Sequence, residues 1–276
     1  MYVIHVKQLM EAIKSLGIEV LEESKPTILD VTATVSYLFR WPTDWTHGKP
    51  LPIPFPSKEC QHVIIIIVDA LGVNMLNYAV SQGMEVFSKA QYEMTLCTVY
   101  PSKTPVVVAS LATGLLPEKH GVRTKEAVIK HQTLLDICRK YGIKTATAAR
   151  VTSSVTALLS EKADVKAVCL DDREICLKAK NIIKKEQPGL FIIHFLDIDN
   201  AGHKNSPFSQ QVLEAIKRID DYVNDILNMA DEMFDNYITF ILADHGMHSK
   251  PEGGGGHGTL LKEDMLVPLK IYIKTN

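Results

Sequence analysis

Apolar residues along this chain fall into short continuous blocks separated by longer amphipathic stretches. HVIIIIV at 62–68, LFIIHFL at 190–196 and YITFILA at 237–243 are apolar without alternation and rich in β-branched side chains. Such runs suit strands buried on both faces of a sheet. MTLCTV (94–99), KTATAA (144–149), VKAVCL (165–170) and PLKIYI (268–273) are weaker strand candidates. Between these blocks the apolar positions change to helical spacing. Over 208–230, Val212, Ile216, Ile219, Val223, Ile226 and Ala230 share one helical face. Ser206 and Pro207 are placed to cap and open that helix. A short helix is also predicted over 6–17. Strands alternating with helices predict an α/β fold, with a largely parallel central sheet flanked by helices on both faces.

Residues 38–58 break the pattern with a run of prolines and both tryptophans, which marks an irregular, turn-rich arm. The organised core is expected to start near Gln61. The chain therefore reads as an N-terminal helix with a Pro/Trp-rich arm (1–58) and a single catalytic domain (59–276). Trp41 and Trp45 either stack on a substrate base or pack against the outside of the domain.

Composition narrows the function classes. With 276 residues, 46% hydrophobic and 22% charged, the chain can bury a sizeable core. A formal net charge of −2 gives no general affinity for polymeric nucleic acid or acidic membranes. No apolar run approaches the ~18–20 residues of a membrane span, so no membrane partner is expected. Cys60, Cys97, Cys138, Cys169 and Cys176 are odd in number and form no CxxC pair, which fits small core residues in a reducing cytoplasm.

The acids supply the candidate chemistry. Three of the most apolar strands each run directly into aspartate. HVIIIIV ends at Asp69, LFIIHFL at Asp197 followed by Asp199 and His203, and YITFILA at Asp244 and His245. The carboxyl ends of parallel strands line the binding crevice of α/β sheets. Carboxylates gathered there repel one another unless cations relieve them. Mixed Asp and His ligands suit zinc, manganese or iron better than magnesium or calcium. PEGGGGHGT (251–259) adds His257 on a glycine-rich loop, read as a ligand loop in preference to a flexible linker.

YPSKTPVVVASLATG (100–114) follows a predicted strand. Pro105 suits a first helical turn, which makes Thr104 the N-cap, and Gly114 ends the helix. The Thr104 hydroxyl then stands at a helix N-terminus that favours anions. Local sequence alone leaves two roles open, a plain cap and a nucleophile activated by a bound metal.

These segments resemble the alkaline phosphatase superfamily and, within it, the type I phosphodiesterase/nucleotide pyrophosphatase family. The resemblance spans roughly 62–270 and rests on VDALG (68–72), YPSKTPVVVASLATGLLPEKHG (100–121), DNAGH (199–203), ADHGM (243–247) and GHG (256–258), in that order. It implies a three-layer sandwich and two divalent metal ions, zinc with manganese or iron as alternatives. Asp199, His203 and His257 would hold one ion, and Asp69, Asp244 and His245 the other, with Thr104 also contacting it. Thr104 would attack phosphorus to give a phosphothreonine, which water then hydrolyses. The implied substrate is a small phosphoester or nucleotide, cleaved at a phosphodiester or pyrophosphate bond. A phosphomonoesterase or phosphomutase of the same superfamily is the alternative, and a non-catalytic metal- or phosphate-binding module ranks lower. The sulfatase C/S-x-P-x-R setting is absent.

Two departures stand out. The family asparagine three residues after the nucleophile is Val107 here, which leaves the phosphoryl contact to Lys103 or to amides at the helix start. Only 11 residues separate His245 from His257, so the pocket is expected to be pared down. Asp197 lies outside the motif, and its place two residues before Asp199 reads as a supporting role or chance. His194 reads as a core or supporting residue and His120 as structural. His248 has no assigned role.

Overall fold

A computed structural model describes residues 25–55 and 60–275. The helix expected over 6–17 lies outside the described residues. In chain order the strands are β1 (His62–Val68), β2 (Tyr92–Cys97), β3 (Thr145–Arg150), β4 (Val165–Cys169), β5 (Leu190–Phe195), β6 (Asn236–Leu242), β7 (His248–Ser249), β8 (Gly255–Gly256) and β9 (Leu266–Thr275). Seven form one sheet in the order β2-β9-β6-β1-β5-β3-β4. All seven coincide with the apolar blocks, with ends shifted by a few residues. β1 pairs in parallel with β5 and β6, and β3 with β5 and β4, while β9 runs antiparallel to both β6 and β2. The sheet is thus mostly parallel and flanked by helices, as expected. β1 is central, and Val63 to Val68 are all buried. This is why its pattern shows no alternation.

The long helix spans Gln210–Met233 and buries the six residues expected on its apolar face. Its N-cap is Ser209, whose hydroxyl accepts from the Val212 amide at 3.3 Å. The cap expected at Ser206 is not formed. Ser206 instead closes the preceding helix, Asp197–Asn205, with a φ of 137°.

The packed core begins earlier than Gln61. A helix at Ile28–Leu38 buries nine of its eleven residues. It packs against the helix Thr104–Thr113, and the Thr32 hydroxyl donates to Leu111 O at 2.6 Å. The sequence ILDVTATVSYL hid it, because β-branched residues are poor helix formers and its Thr and Ser look like surface. Thr34 Oγ1 donates to Asp30 O and accepts the Leu51 amide, so burial leaves it satisfied.

After this helix the described part of the arm is irregular. Trp41 is 7% exposed and stacked between Phe39 (4.7 Å) and Tyr141 (5.2 Å). Trp45 is packed against the same core. The base-stacking role is therefore withdrawn for Trp41: its faces are already covered by aromatic side chains.

Candidate active site

The strand order brings the acids together. β6, β1 and β5 are adjacent and parallel, so Asp244, Asp69 and the Asp197–Asn205 helix all leave the same edge of the sheet. Asp69 and Asp244 are buried, and Asp199 is largely so. Asp69 Oδ1 lies 3.3 Å from His245 Nε2, and Asp244 Oδ2 lies 3.4 Å from the same nitrogen. His203 Nε2 is 3.1 Å from Asp199 Oδ1 and 3.1 Å from His257 Nε2. The His245 and His257 rings stack at 3.8 Å. The six expected Asp and His ligands thus form one cluster.

The histidine rings are oriented by backbone neighbours. Nδ1 of His203 faces Gly255 O, Nδ1 of His245 faces Gly246 O, and Nδ1 of His257 faces Ser102 O, each at 3.0 Å. A carbonyl can only accept, so each Nδ1 is the donor and each Nε2 is turned toward the acids. Backbone partners of this kind commonly orient metal-bound histidines. On the oxygen side, Asp69 Oδ1, Asp199 Oδ1 and Asp244 Oδ2 are buried without a hydrogen-bond donor. Buried acceptors left in this state are costly. Cations placed among three carboxylate oxygens and three imidazole nitrogens would satisfy all of them, so the donor set fits divalent metal. Two groups, Asp199–His245–His257 and Asp69–Asp244–His245, have ligand atoms within 4.8 Å of one another.

The electrostatics follow the same geometry. Burial, then Asp244 and Asp199, push the Asp69 carboxyl well above the ordinary range. Burial also raises Asp199, but His203 and His245 outweigh it and hold Asp199 low. The contact with Asp199 raises His203. Burial pushes His257 and His194 down to about 4.

Thr104 sits among these groups. Its helix starts one residue earlier than expected, with Lys103 as N-cap and Thr104 as the first helical residue. The Val106 and Val107 amides bond to Lys103 O, so the Thr104 hydroxyl caps nothing. It lies 3.2 Å from His245 Nε2 and 3.4 Å from Asp69 Oδ2. Gly114 ends the helix in the left-handed region, with φ 64°, as expected. Val107 is fully buried in the core and offers no polar group. Lys103 is exposed, and its stem lies over Gly258, where a Cβ would come within 2.9 Å of Lys103 Cε.

The glycine-rich segment is not a loose linker. β7 and β8 pair as a two-stranded ribbon between His245 and His257. Gly254 has φ +71°, and a Cβ there would fall 2.3 Å from His203 O, so the ribbon seats directly on the Asp197–Asn205 helix.

Several residues at the site have no motif to announce them. His194 is fully buried on β5. Its Nε2 stands 3.1 Å from Asp69 Oδ2, and its Nδ1 is 2.7 Å from Ser153 Oγ. Asp197 points away from the acid cluster and pairs with Arg150, with Arg218 at 3.8 Å. Arg150 Nε also donates to Asp172 Oδ1 at 2.6 Å. Asp172 Oδ2 accepts the Leu196 and Asp197 amides, at 2.9 and 2.8 Å, and so anchors the start of the helix that carries Asp199 and His203. Burial and then Asp197 push Asp172 up to about 6. His120 is structural: its Nε2 meets Ser110 Oγ at 2.9 Å and its Nδ1 accepts the Val122 amide.

Known proteins can now be compared with this arrangement. A family model described as type I phosphodiesterase / nucleotide pyrophosphatase matches residues 63–128 and 128–254, more than half of the chain. The chain belongs to this family. Among curated relatives, GPI ethanolamine phosphate transferase 1 of Homo sapiens is 37% identical over 75 residues, which is 26% of this chain and 8% of the human protein. The Saccharomyces cerevisiae protein of the same name is 33% identical over 75 residues, again 26% of this chain and 8% of its own length. The chain therefore matches only a small part of these relatives. Among solved structures, an inactive threonine-to-alanine variant of murine ectonucleotide pyrophosphatase/phosphodiesterase 5, in complex with AMP, superposes with a TM-score of 0.56 at 14% identity, covering 70% of this chain and 59% of the murine one. A magnesium-bound variant of TAB5 alkaline phosphatase superposes with a TM-score of 0.53 at 11% identity, covering 77% and 91%. These likenesses establish the alkaline-phosphatase-like fold.

Proposed function

We propose that the protein cleaves small phosphoesters, as a phosphodiesterase or nucleotide pyrophosphatase, through a phosphothreonine on Thr104. The observation that carries this reading is the Thr104 hydroxyl, released from capping and held 3.2 Å from His245 Nε2 beside Asp69. Asp199, His203 and His257 would hold one divalent ion, and Asp69, Asp244, His245 and Thr104 the other. The mixed donors suit zinc, with manganese or iron as alternatives. Such ions, when bound, supply a Lewis acid for the phosphoryl oxygens and lower the pKa of a bound hydroxyl or water. His245, whose Nδ1 is tied to Gly246 O, presents a fixed Nε2 to the threonine. The first turn of the Thr104–Thr113 helix turns its positive end toward the developing phosphoryl charge. Lys103 at the N-cap, or the amides of the first turn, would contact that charge, because Val107 stands where the family has asparagine.

The test compares a nitrophenyl monoester, a bis-nitrophenyl diester and a dinucleotide with added zinc or manganese. T104A is expected to lose activity on every substrate while still binding metal. Full activity in T104A would refute the nucleophile assignment. The relatives named GPI ethanolamine phosphate transferase favour a second reading, in which an alcohol replaces water as the acceptor and the substrate is lipid-linked. The same panel run with an added amino-alcohol acceptor separates hydrolysis from transfer.

Among the described residues no helix is long and apolar enough to cross a membrane. All five cysteines are free.

A further inference from the structure

We infer that Asp264 and His248 form a clamp that positions His257, and that the Asp199–His203–His257 group binds its ion tightly only while that clamp is closed. The inference rests on the two-metal reading of the site. Neither residue touches the acid cluster. The Asp264 side chain is wholly buried, and three donors converge on it. His248 Nδ1 meets Oδ1 at 2.7 Å, while the Thr259 amide and hydroxyl meet Oδ2 at 2.9 and 2.7 Å. His248 lies three residues after His245, and Thr259 two residues after His257. One carboxylate therefore ties together both feet of the ribbon between the two histidines. The backbone of the same residue adds a further tie, since Gly246 N donates to Asp264 O at 2.9 Å.

Ser102 closes the other side. Its hydroxyl donates to Thr259 O and accepts from Gly258 N, both at 3.1 Å, and its carbonyl accepts a hydrogen bond from His257 Nδ1. Residues 257–259 are thus pinned between Asp264 and the nucleophile segment. The pinning matters because Gly253 to Gly256 impose little conformational preference of their own. Released from Asp264, His257 would sample many orientations, and its Nε2 would meet Asp199 and His203 only part of the time. His248 fills the remaining gap: a Cβ on Gly256 would stand 3.2 Å from its Nε2. His248 and Asp264 are positioning residues in this account.

The chemistry of the clamp selects its tests. Asp264→Asn leaves one acceptor oxygen for three hydrogens and turns an amide donor against another donor. His248→Ala removes one donor, whereas His248→Asn restores one near the Nδ1 position. Thr259→Val removes the hydroxyl, and Thr259→Ser keeps it. Outer partners of metal ligands typically contribute about 10–100-fold to metal affinity. The experiment titrates the apo forms of wild type and the five variants with zinc against a competing chelator, and records the thermal midpoint of each apo protein.

Wild type is expected to bind two zinc ions. D264N, H248A and T259V should retain one at wild-type affinity and bind the second about 10–100-fold more weakly. H248N and T259S should recover most of that loss. A change in overall stability alone would weaken both ions or neither. If wild type binds two ions and H248A and D264N bind both unchanged, the clamp is overturned. If wild type binds fewer than two, it is the two-metal reading that fails. Should D264N not fold, the H248A and H248N pair decides.

Discussion

Removing the Asp172 carboxylate tests how the Asp197–Asn205 helix is held. Asp172→Ala takes away the acceptor for the Leu196 amide at 2.9 Å, the Asp197 amide at 2.8 Å and Arg150 Nε at 2.6 Å. The Asp172 side chain is 0% exposed and that of Arg150 14% exposed, so water does not readily replace the lost oxygens. A buried donor left unsatisfied costs about 1–3 kcal/mol, and breaking a buried ion pair from one side costs about 3–5 kcal/mol. Arg150 keeps Asp197 as a second partner, which reduces the charge penalty. The two amides and the weakened pair together predict a loss of about 3–5 kcal/mol. Against a typical domain stability of about 5–15 kcal/mol, that is a large fraction. Urea unfolding of the metal-free protein measures it directly. Zinc titration of the same variant should show the Asp199–His203–His257 group weakened, because its helix starts at the released amides. A loss below about 1 kcal/mol, with both ions bound as in wild type, would refute the anchoring argument.

Other residues give sharper single outcomes. Trp41→Ala should lose about 3–5 kcal/mol through the cavity between Phe39 and Tyr141, with KM for a nucleotide substrate unchanged; a raised KM would restore the base-stacking role. Gly246→Ala places a Cβ 1.9 Å from Glu263 O, so the backbone beside His245 must shift, and activity should fall more than 10-fold; wild-type kinetics would show that this close approach relaxes freely. His120 is lowered to about 4 by burial and then Arg123, below its ordinary ~6.5. Its unfolded form therefore takes up a proton first, so the stability it contributes is full above about pH 6.5 and is lost as pH falls toward 4. After allowance for partial screening, wild type should lose about 1–2 kcal/mol more than His120→Asn across that window in urea titrations. Parallel pH curves would contradict the assignment.

The sequence disclosed what local pattern can encode. β1, β5 and β6 are legible because they are almost continuously apolar, and the acids are legible because they stand immediately after those strands. The antiparallel course of β9 was not, since an isolated apolar run carries no direction. The Ile28–Leu38 helix escaped because its residues favour strand locally and are held helical by packing on the Thr104–Thr113 helix. The Thr104–Thr113 helix starts one residue before the position that local pattern predicts, so the Thr104 hydroxyl meets His245 and Asp69 instead of capping the helix. Asp172 and Asp264 could not be found from spacing. Their donors come from Arg150, Leu196 and Asp197 in one case and from His248 and Thr259 in the other, and only the folded chain unites them. Pattern leaves His194 either a core or a supporting residue, and its approach to Asp69 depends on the β1–β5 register that sets Ile67 beside it.

The central claim is a covalent intermediate on Thr104. The direct measurement mixes zinc-loaded protein with a bis-nitrophenyl diester, quenches in acid within the first turnover and maps the digested chain by mass spectrometry. Displacement of one nitrophenolate leaves the other ester in place, so one nitrophenyl phosphoryl group is expected on the peptide containing Thr104, absent from T104A and discharged when quenching is delayed. Substrate turnover with no nitrophenyl phosphoryl adduct on the Thr104 peptide at any quench time, or the same adduct in T104A, would contradict the claim.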